Sequence, residues 1–350
     1  MAQSAPRLAK QLAVVYTLLA VYGSLYPFTG WHDSGTPLTA FLLAGWPRYI
    51  TAFDLVTNAL AYVPLGFLWV AVWLPRLGAI GAVAVTLCLG GGLSLGLEML
   101  QNLLPSRVPS QLDILCNLAG TFIGALAGAR WANTLLDGGR LNALRQRIFH
   151  TGALADAGLV LLLLWLLTML NPDSMLFGNG NLRRLFSVSV VAGYSAELYT
   201  RIEAISVASN TLAIGLMVSI LAKRPVYVVA LLTMTLALFI KGFAYLMMMS
   251  GSADFGWLTP GSLHGLSIGL LLWLVANTLP ASWQKAFAAW SLLFATTLIN
   301  LAPENPYLSN AWQTWNPGQF LNFHGLTRLL SEVWPFLALP WLMMVRTDNE

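Results

Sequence analysis

Charge is what this chain has least of. Only 9% of its 350 residues are Asp, Glu, Lys or Arg, against about a quarter in soluble domains. Together with 57% hydrophobic residues and a mean hydropathy of +0.69, that scarcity excludes an ordinary soluble globular protein. Cysteine is nearly absent too. Cys88 and Cys116 both fall inside apolar stretches, and neither has a partner at metal-ligand spacing, so buried free thiols are expected and no disulfide. His-x-x-x-His, Cys-x-x-Cys and Glu-x-x-His patterns are missing, and no metal or cofactor is expected. Neither a phosphate-binding Gly-Lys-Ser/Thr loop nor a Gly-x-Ser-x-Gly nucleophile elbow is read in the chain, which disfavours an ATP-driven pump or a serine hydrolase.

What is present is a series of apolar runs. A spanning helix needs roughly 20 mostly apolar residues, and ten candidates occur near 12–29, 53–74, 77–104, 112–131, 153–170, 203–222, 225–249, 260–279, 283–302 and 325–345. The fold expected is all-α, a polytopic integral membrane protein of about ten spans. The first run follows Arg7 and Lys10 and continues through Tyr22, Tyr26, Pro27 and Phe28 with no small-residue cleavage pattern, so it reads as an uncleaved signal anchor. With the N-terminus inside, eleven basic residues fall on the inner side: Arg7, Lys10, Arg76, Arg130, Arg140, Arg145, Arg147, Lys223, Arg224, Lys285 and Arg346. Six fall outside: Arg48, Arg107, Arg183, Arg184, Arg201 and Arg328. That excess places both termini in the cytoplasm of a multi-pass protein of the inner (plasma) membrane. It also accounts for the pI near 9.2 without nucleic-acid binding.

Three regions follow: a four-helix membrane domain over 1–131, a basic cytoplasmic loop over 132–152, and six more spans over 153–350. The loop carries Asp137-Gly138-Gly139 ahead of Arg140, Arg145 and Arg147. In the last region the loop 171–198 has helix-stopping and turn chemistry at Asn171-Pro172-Asp173 and Gly178-Asn179-Gly180-Asn181. A second loop, 303–324, carries Trp312, Trp315 and Phe320 and reads as an interfacial segment.

Polar residues are concentrated in the first third. Thr51-Ala-Phe-Asp54-Leu-Val-Thr-Asn58 and Ser110-Gln-Leu-Asp113-Ile-Leu-Cys-Asn117 share the form [Ser/Thr]-x-x-Asp-x-x-x-Asn, each opening a helix that enters the membrane from outside. Helix capping explains either Asp as well as a site does, while each Asn falls one turn deeper on the same face. Glu98 and Gln101 share a face near the outer end of the third span, with Ser94 and Gly91 below, and Arg107 sits in the turn Pro105–Pro109 that follows. Ionisable groups at membrane depth are costly and mark functional sites by default. Asp54, Asn58, Glu98, Gln101, Arg107, Asp113 and Asn117 are therefore the candidate ligand-binding residues, with Glu98 and Asp113 the candidate general bases of any catalysis. Gly120, Gly124 and Gly128, like Gly92 and Gly96, repeat every four residues and predict close helix packing. Gly90-Gly91-Gly92 and Pro64 are candidate bend points.

The stretches Phe53-Asp54-Leu-Val-Thr-Asn58, Pro64-Leu-Gly66-Phe67, Leu93-Ser94-Leu-Gly-Leu-Glu98-Met-Leu-Gln101, Pro105-Ser-Arg107, Asp113-Ile-Leu-Cys-Asn117 and Gly120 resemble the VanZ-like family, over about residues 10–131. The combined Glu-x-x-Gln, Pro-x-Arg and Asp-x-x-x-Asn signature carries the likeness. It implies a multispanning protein of the cell envelope; the family's namesake is linked to low-level resistance to the glycopeptide teicoplanin.

In the second half, Lys241 within the seventh span, and His324, Arg328 and Glu332 at four-residue spacing on the tenth, are secondary candidates. Lys241 is expected to snorkel or to pair with Glu332 or Glu203. Glu197, Arg201 and Glu203 crowd the mouth of the sixth span, and His264 opens the eighth. The expected partners are the bilayer and a membrane lipid or lipid-linked saccharide. A membrane-embedded hydrolase or transferase is the alternative, and a transporter or structural subunit the third reading.

Overall fold

The computed structural model of the chain describes residues 7–33, 35–46, 51–132, 134, 140–183, 196–223, 225–248, 256–301 and 321–345. Among them the secondary structure is helical throughout, apart from one isolated bridge between Phe149 and Ala222. The helices are α1 (Arg7–Leu25), α2 (Ala52–Gln101), α3 (Gln111–Ala132), α4 (Arg140–Ile148), α5 (Ala153–Thr168), α6 (Ala196–Leu221), α7 (Val226–Met248), α8 (Pro260–Ala276), α9 (Ala281–Leu301) and α10 (Leu321–Met344). They form two compact units, Met1–Arg145 and Gln146–Glu350. Every apolar run read from the sequence coincides with a helix or an arm of one. Among the described residues, five helices are long and apolar enough to cross a membrane: α1, α2, α3, α6 and α7; α5 and α8 are apolar but shorter. Trp312, Trp315, Phe320, Arg48, Arg184, Arg224, Arg346 and the Asp137-Gly138-Gly139 turn lie outside the described residues.

The second and third sequence runs are two arms of α2, folded back at Gly78. Gly78 takes φ 65° and ψ 179°, the only non-helical backbone inside α2, and such a φ suits a residue without a Cβ. Pro64 and the Gly90–Gly92 run, expected as bends, both sit in continuous helix. Gly90 is occupied differently: a Cβ there would run into the Thr121 side chain, so the glycine is a packing contact with α3.

α3 lies along both arms. A Cβ at Gly120, Gly124 or Gly128 would overlap the backbone of Ala59, Val63 or Phe67 respectively, so α3 runs parallel to the first arm at backbone contact. Asn117 meets Ser94 and Ser110 meets Glu98, so it runs antiparallel to the second. Small residues at four-residue spacing are what permit this approach. α1 joins through Tyr16 Oη donating to Ala61 O (2.8 Å) and Trp69 Nε1 donating to Thr17 Oγ1 (3.0 Å). Ala9 and Ala13 pack on Ala71 and Val72 at one end, Leu25 on Leu97 and Leu104 at the other. This alternation collects the end of α1, the start of the first arm, the end of the second and the start of α3 at one end of the unit. Arg7, Lys10, Arg76 and Arg130 are left at the opposite end.

In the C-terminal unit, α6 packs against α8 and α9, and α10 against α5 and α9. The loop after α5, read from its helix-stopping and turn residues, is folded into the unit over its first part. Leu176 through Gly180 are buried, with Phe177 fully enclosed at φ 57° and its ring 5.2 Å from that of Trp165. Gly180 N donates to Ser331 O, while Asn300 Nδ2 donates to Gly180 O (2.7 Å) and Asn300 Oδ1 accepts from Leu182 N (2.8 Å). Buried irregular backbone must have its polar groups satisfied by protein, and side chains and carbonyls of α9 and α10 supply that. Short polar residues and glycines in the sequence therefore mark a folded-in loop, since their bonds run to other helices.

Candidate functional site

The polar end of the N-terminal unit is built from residues that mostly serve one another. Glu98 is buried at 3% exposure near the end of the second arm, and its Oε2 accepts from the Ser110 backbone N–H at 2.8 Å, closing the turn to α3. Asn58 Nδ2 donates to Asp113 Oδ1 at 2.8 Å, so the Asn of one sequence repeat pairs with the Asp of the other. Asn117 Nδ2 donates to the buried Ser94 Oγ at 2.9 Å. Such interhelical bonds in membrane units contribute about 0.6–2 kcal/mol. The two repeats thus differ in what their acids do. Asp54 is exposed and caps its helix: its N–H reaches Thr51 Oγ1 at 3.1 Å and its Oδ2 accepts from the same hydroxyl at 2.6 Å. Capping, with no ligand, accounts for Asp54. Asp113 instead reaches across to the first arm.

Arg107 sits in the turn after α2, half-buried, and donates through Nη2 to Tyr26 O. Burial lowers its guanidinium from the ordinary value, and the charge of nearby Glu98 works against that shift; an arginine remains a cation under such opposing effects. Gln101 Nε2 donates to Ser24 O at 3.0 Å, His32 N to Leu103 O at 3.0 Å, and Gly30 lies against Pro105. All seven candidate residues therefore gather at one end, but they divide by role. Asp54 meets the cap hydroxyl of its own helix; Glu98, Gln101 and part of Arg107's bonding hold backbone; Asn58, Asp113 and Asn117 bridge helices through side chains.

Two participants were missed from the sequence. Tyr62, 3% exposed, lies one turn beyond Asn58 and approaches Ser94, and its i+4 spacing was the available signal. Gln111 donates from Nε2 toward the carbonyls of Phe41, Leu42 and Ala44, anchoring a 3-10 turn (Ala40–Leu43) to α3. Ser94 itself stands in Gly92-Leu93-Ser94-Leu95-Gly96, a Gly-x-Ser-x-Gly string that the sequence reading overlooked. It is not an elbow, because the string is continuous helix and its amides are spent on helical hydrogen bonds. A serine so placed has no sharp turn to present it and no free amides for an oxyanion. Of the cysteines, Cys116 is half-buried and Cys88 is exposed on the surface of α2, contrary to the buried thiol expected; both are free.

The secondary candidates lie in the C-terminal unit. Lys241 neither snorkels nor meets Glu332 or Glu203. It is fully buried, and Nζ donates to Asn171 O (2.6 Å), Ser174 O (2.8 Å) and Ser174 Oγ (3.0 Å). Its ammonium thus satisfies the carbonyls of the chain leaving α5, where a cation also meets the negative end of the helix dipole. Asp173, read only as part of a helix stop, lies between Lys241 and His324: His324 Nε2 is 3.3 Å from its Oδ2, and Lys241 is within Coulombic reach. Glu203 is spoken for by Thr259 Oγ1 at 2.6 Å, and Glu332 by Arg328 Nε at 3.2 Å. Arg201 pairs with Glu197 at an exposed surface, and His264 is exposed. Among the described residues no cluster of three or more His, Cys, Asp or Glu is arranged to hold a metal.

The VanZ/LLP1 family model matches residues 3–131. No match was found among curated proteins, nor among solved structures. The match covers the four antiparallel segments whose polar ends form the cluster just described, and it stops where α3 ends. Residues 3–131 of this chain are thus similar to the VanZ/LLP1 family, within a protein whose apolar helices suit a membrane.

Proposed function

We propose that the polar end of the VanZ-like unit binds an anionic outer-leaflet lipid, or a lipid-linked saccharide, in the plasma membrane. The observation that carries this reading is Arg107, a cation in a short turn between two spanning segments, beside neutral donors and acceptors on three helices. A guanidinium presents a planar fork suited to phosphate oxygens, and Asn and Gln side chains offer uncharged hydrogen bonds to sugar hydroxyls. Arg7, Lys10, Arg76 and Arg130, unaccompanied by acids among the described residues, sit at the unit's other end, which by the positive-inside rule is the cytoplasmic one. The polar cluster then faces outward and both chain termini face in. The helical setting of Ser94 favours binding over hydrolysis.

Val108, adjacent to Arg107 and 84% exposed, offers a test. A photo-crosslinker there should capture a phosphate-bearing lipid in cells, at several times the yield of one at Ile80, which is 88% exposed beside the Gly78 turn. Equal capture of bulk lipid at both positions would remove the reading.

A further inference from the structure

Among the described residues, the C-terminal unit sorts its acids by end. Trp334 Nε1 donates to Leu161 O and Trp341 Nε1 to Leu154 O, so α10 runs antiparallel to α5 and finishes beside its start. His150 N donates to Leu221 O and Lys285 Nζ to Val345 O, bringing the end of α6 and the start of α9 to that same end. The only acid described there is Asp156, which is buried; Asp173, Glu197, Glu203 and Glu332 lie at or towards the opposite end.

α4 is fastened to this acid-poor end. Phe149 bridges to Ala222, Lys223 N donates to Ile148 O at 2.7 Å, and Lys223 Nζ donates to Gln146 O at 2.9 Å. The Lys223 ammonium therefore sits over the last turn of α4 next to Arg147, and both residues are exposed. Leu144 is 50% exposed and lies one turn before Ile148. The sequence has no Asp or Glu from 138 to 155. At nine residues α4 is too short to span a bilayer, and one exposed leucine is too little for a stable protein interface. A short basic helix with an apolar edge, attached to the ends of spanning helices, has the chemistry of an interfacial anchor.

We propose that α4 lies in the headgroup layer and docks on acidic phospholipids, with Leu144 among the acyl chains and Arg147 and Lys223 on headgroup phosphates.

The test uses the full chain with Cys88→Ser and Cys116→Ser, spin-labelled at the exposed Ala143→Cys and reconstituted in nanodiscs. Replacing phosphatidylcholine by a mixture containing phosphatidylglycerol should lower the label's collisions with a water-soluble nickel chelate and raise those with oxygen. Arg147→Gln with Lys223→Gln should abolish that shift. Identical accessibilities in the two lipids would overturn the proposal, and the comparison needs no variant at the basic residues. A shift that survives the double substitution would equally overturn it.

Discussion

Gly124→Ala is expected to prevent the VanZ-like unit from packing as it does, while Gly92→Ala is expected to be harmless. The two substitutions add the same methyl group to adjacent helices of one unit. At Gly124 the new Cβ would overlap the Val63 carbonyl and press on the Phe67 nitrogen, whereas at Gly92 nothing lies within 4 Å. Overpacking costs about 1–3 kcal/mol when side chains can shift; here the obstacle is backbone of a neighbouring helix, so the cost should reach or pass the top of that range. Gly92→Ala should even gain up to about 1 kcal/mol from helix propensity. Thermal unfolding of the purified proteins in one detergent reads both. If the two variants melt together, α3 does not sit on the first arm of α2 as described.

Lys241→Met should unfold the C-terminal unit around the buried loop. Methionine keeps much of the side chain's volume but removes the donor to Ser174 O and Ser174 Oγ and one of the two donors to Asn171 O, which keeps Ser174 Oγ at 3.2 Å. Each unsatisfied buried acceptor costs about 1–3 kcal/mol, and removing one partner of a buried charged set costs about 3–5 kcal/mol. The loss should appear as poor recovery of monodisperse protein and as new protease cleavage within 171–183. Adding Asp173→Asn should recover part of the stability, because it removes the carboxylate that Lys241→Met leaves without the lysine's charge. A Lys241→Met protein that melts with wild type and resists protease would show that the lysine does not hold the loop.

Both predictions concern features read only partly from sequence. The glycine repeat announced close packing because period-four small residues have one steric use in membrane helices. Its partners, Ala59, Val63 and Phe67, have no signature of their own. The fold-back was legible as the break between the runs 53–74 and 77–104, but its pivot at Gly78 was not, since a single glycine among leucines and alanines has no signature of its own. The polar cluster was legible as a set because helix ends alternate sides: once segments 12–29, 53–74, 77–104 and 112–131 are placed, Asn58, Glu98, Arg107 and Asp113 must meet. Which of them pairs with which was not, since capping and cross-helix bonding use the same residue types, and only geometry separates Asp54 from Asp113. Lys241 was visible as an anomaly. Its partners were not, because they are mostly backbone carbonyls, which every residue carries.

The central claim, an anionic-lipid site at Arg107, is tested most directly by native mass spectrometry of the purified chain and of Arg107→Gln, with circular dichroism confirming equal helix content. The account predicts that the wild type carries a discrete phospholipid or lipid-linked saccharide through detergent removal, and that Arg107→Gln loses that species while keeping its bulk-lipid background. The same adducts on both proteins would contradict it, and the cluster at that end would then be a set of caps and interhelical bonds that holds four helices together.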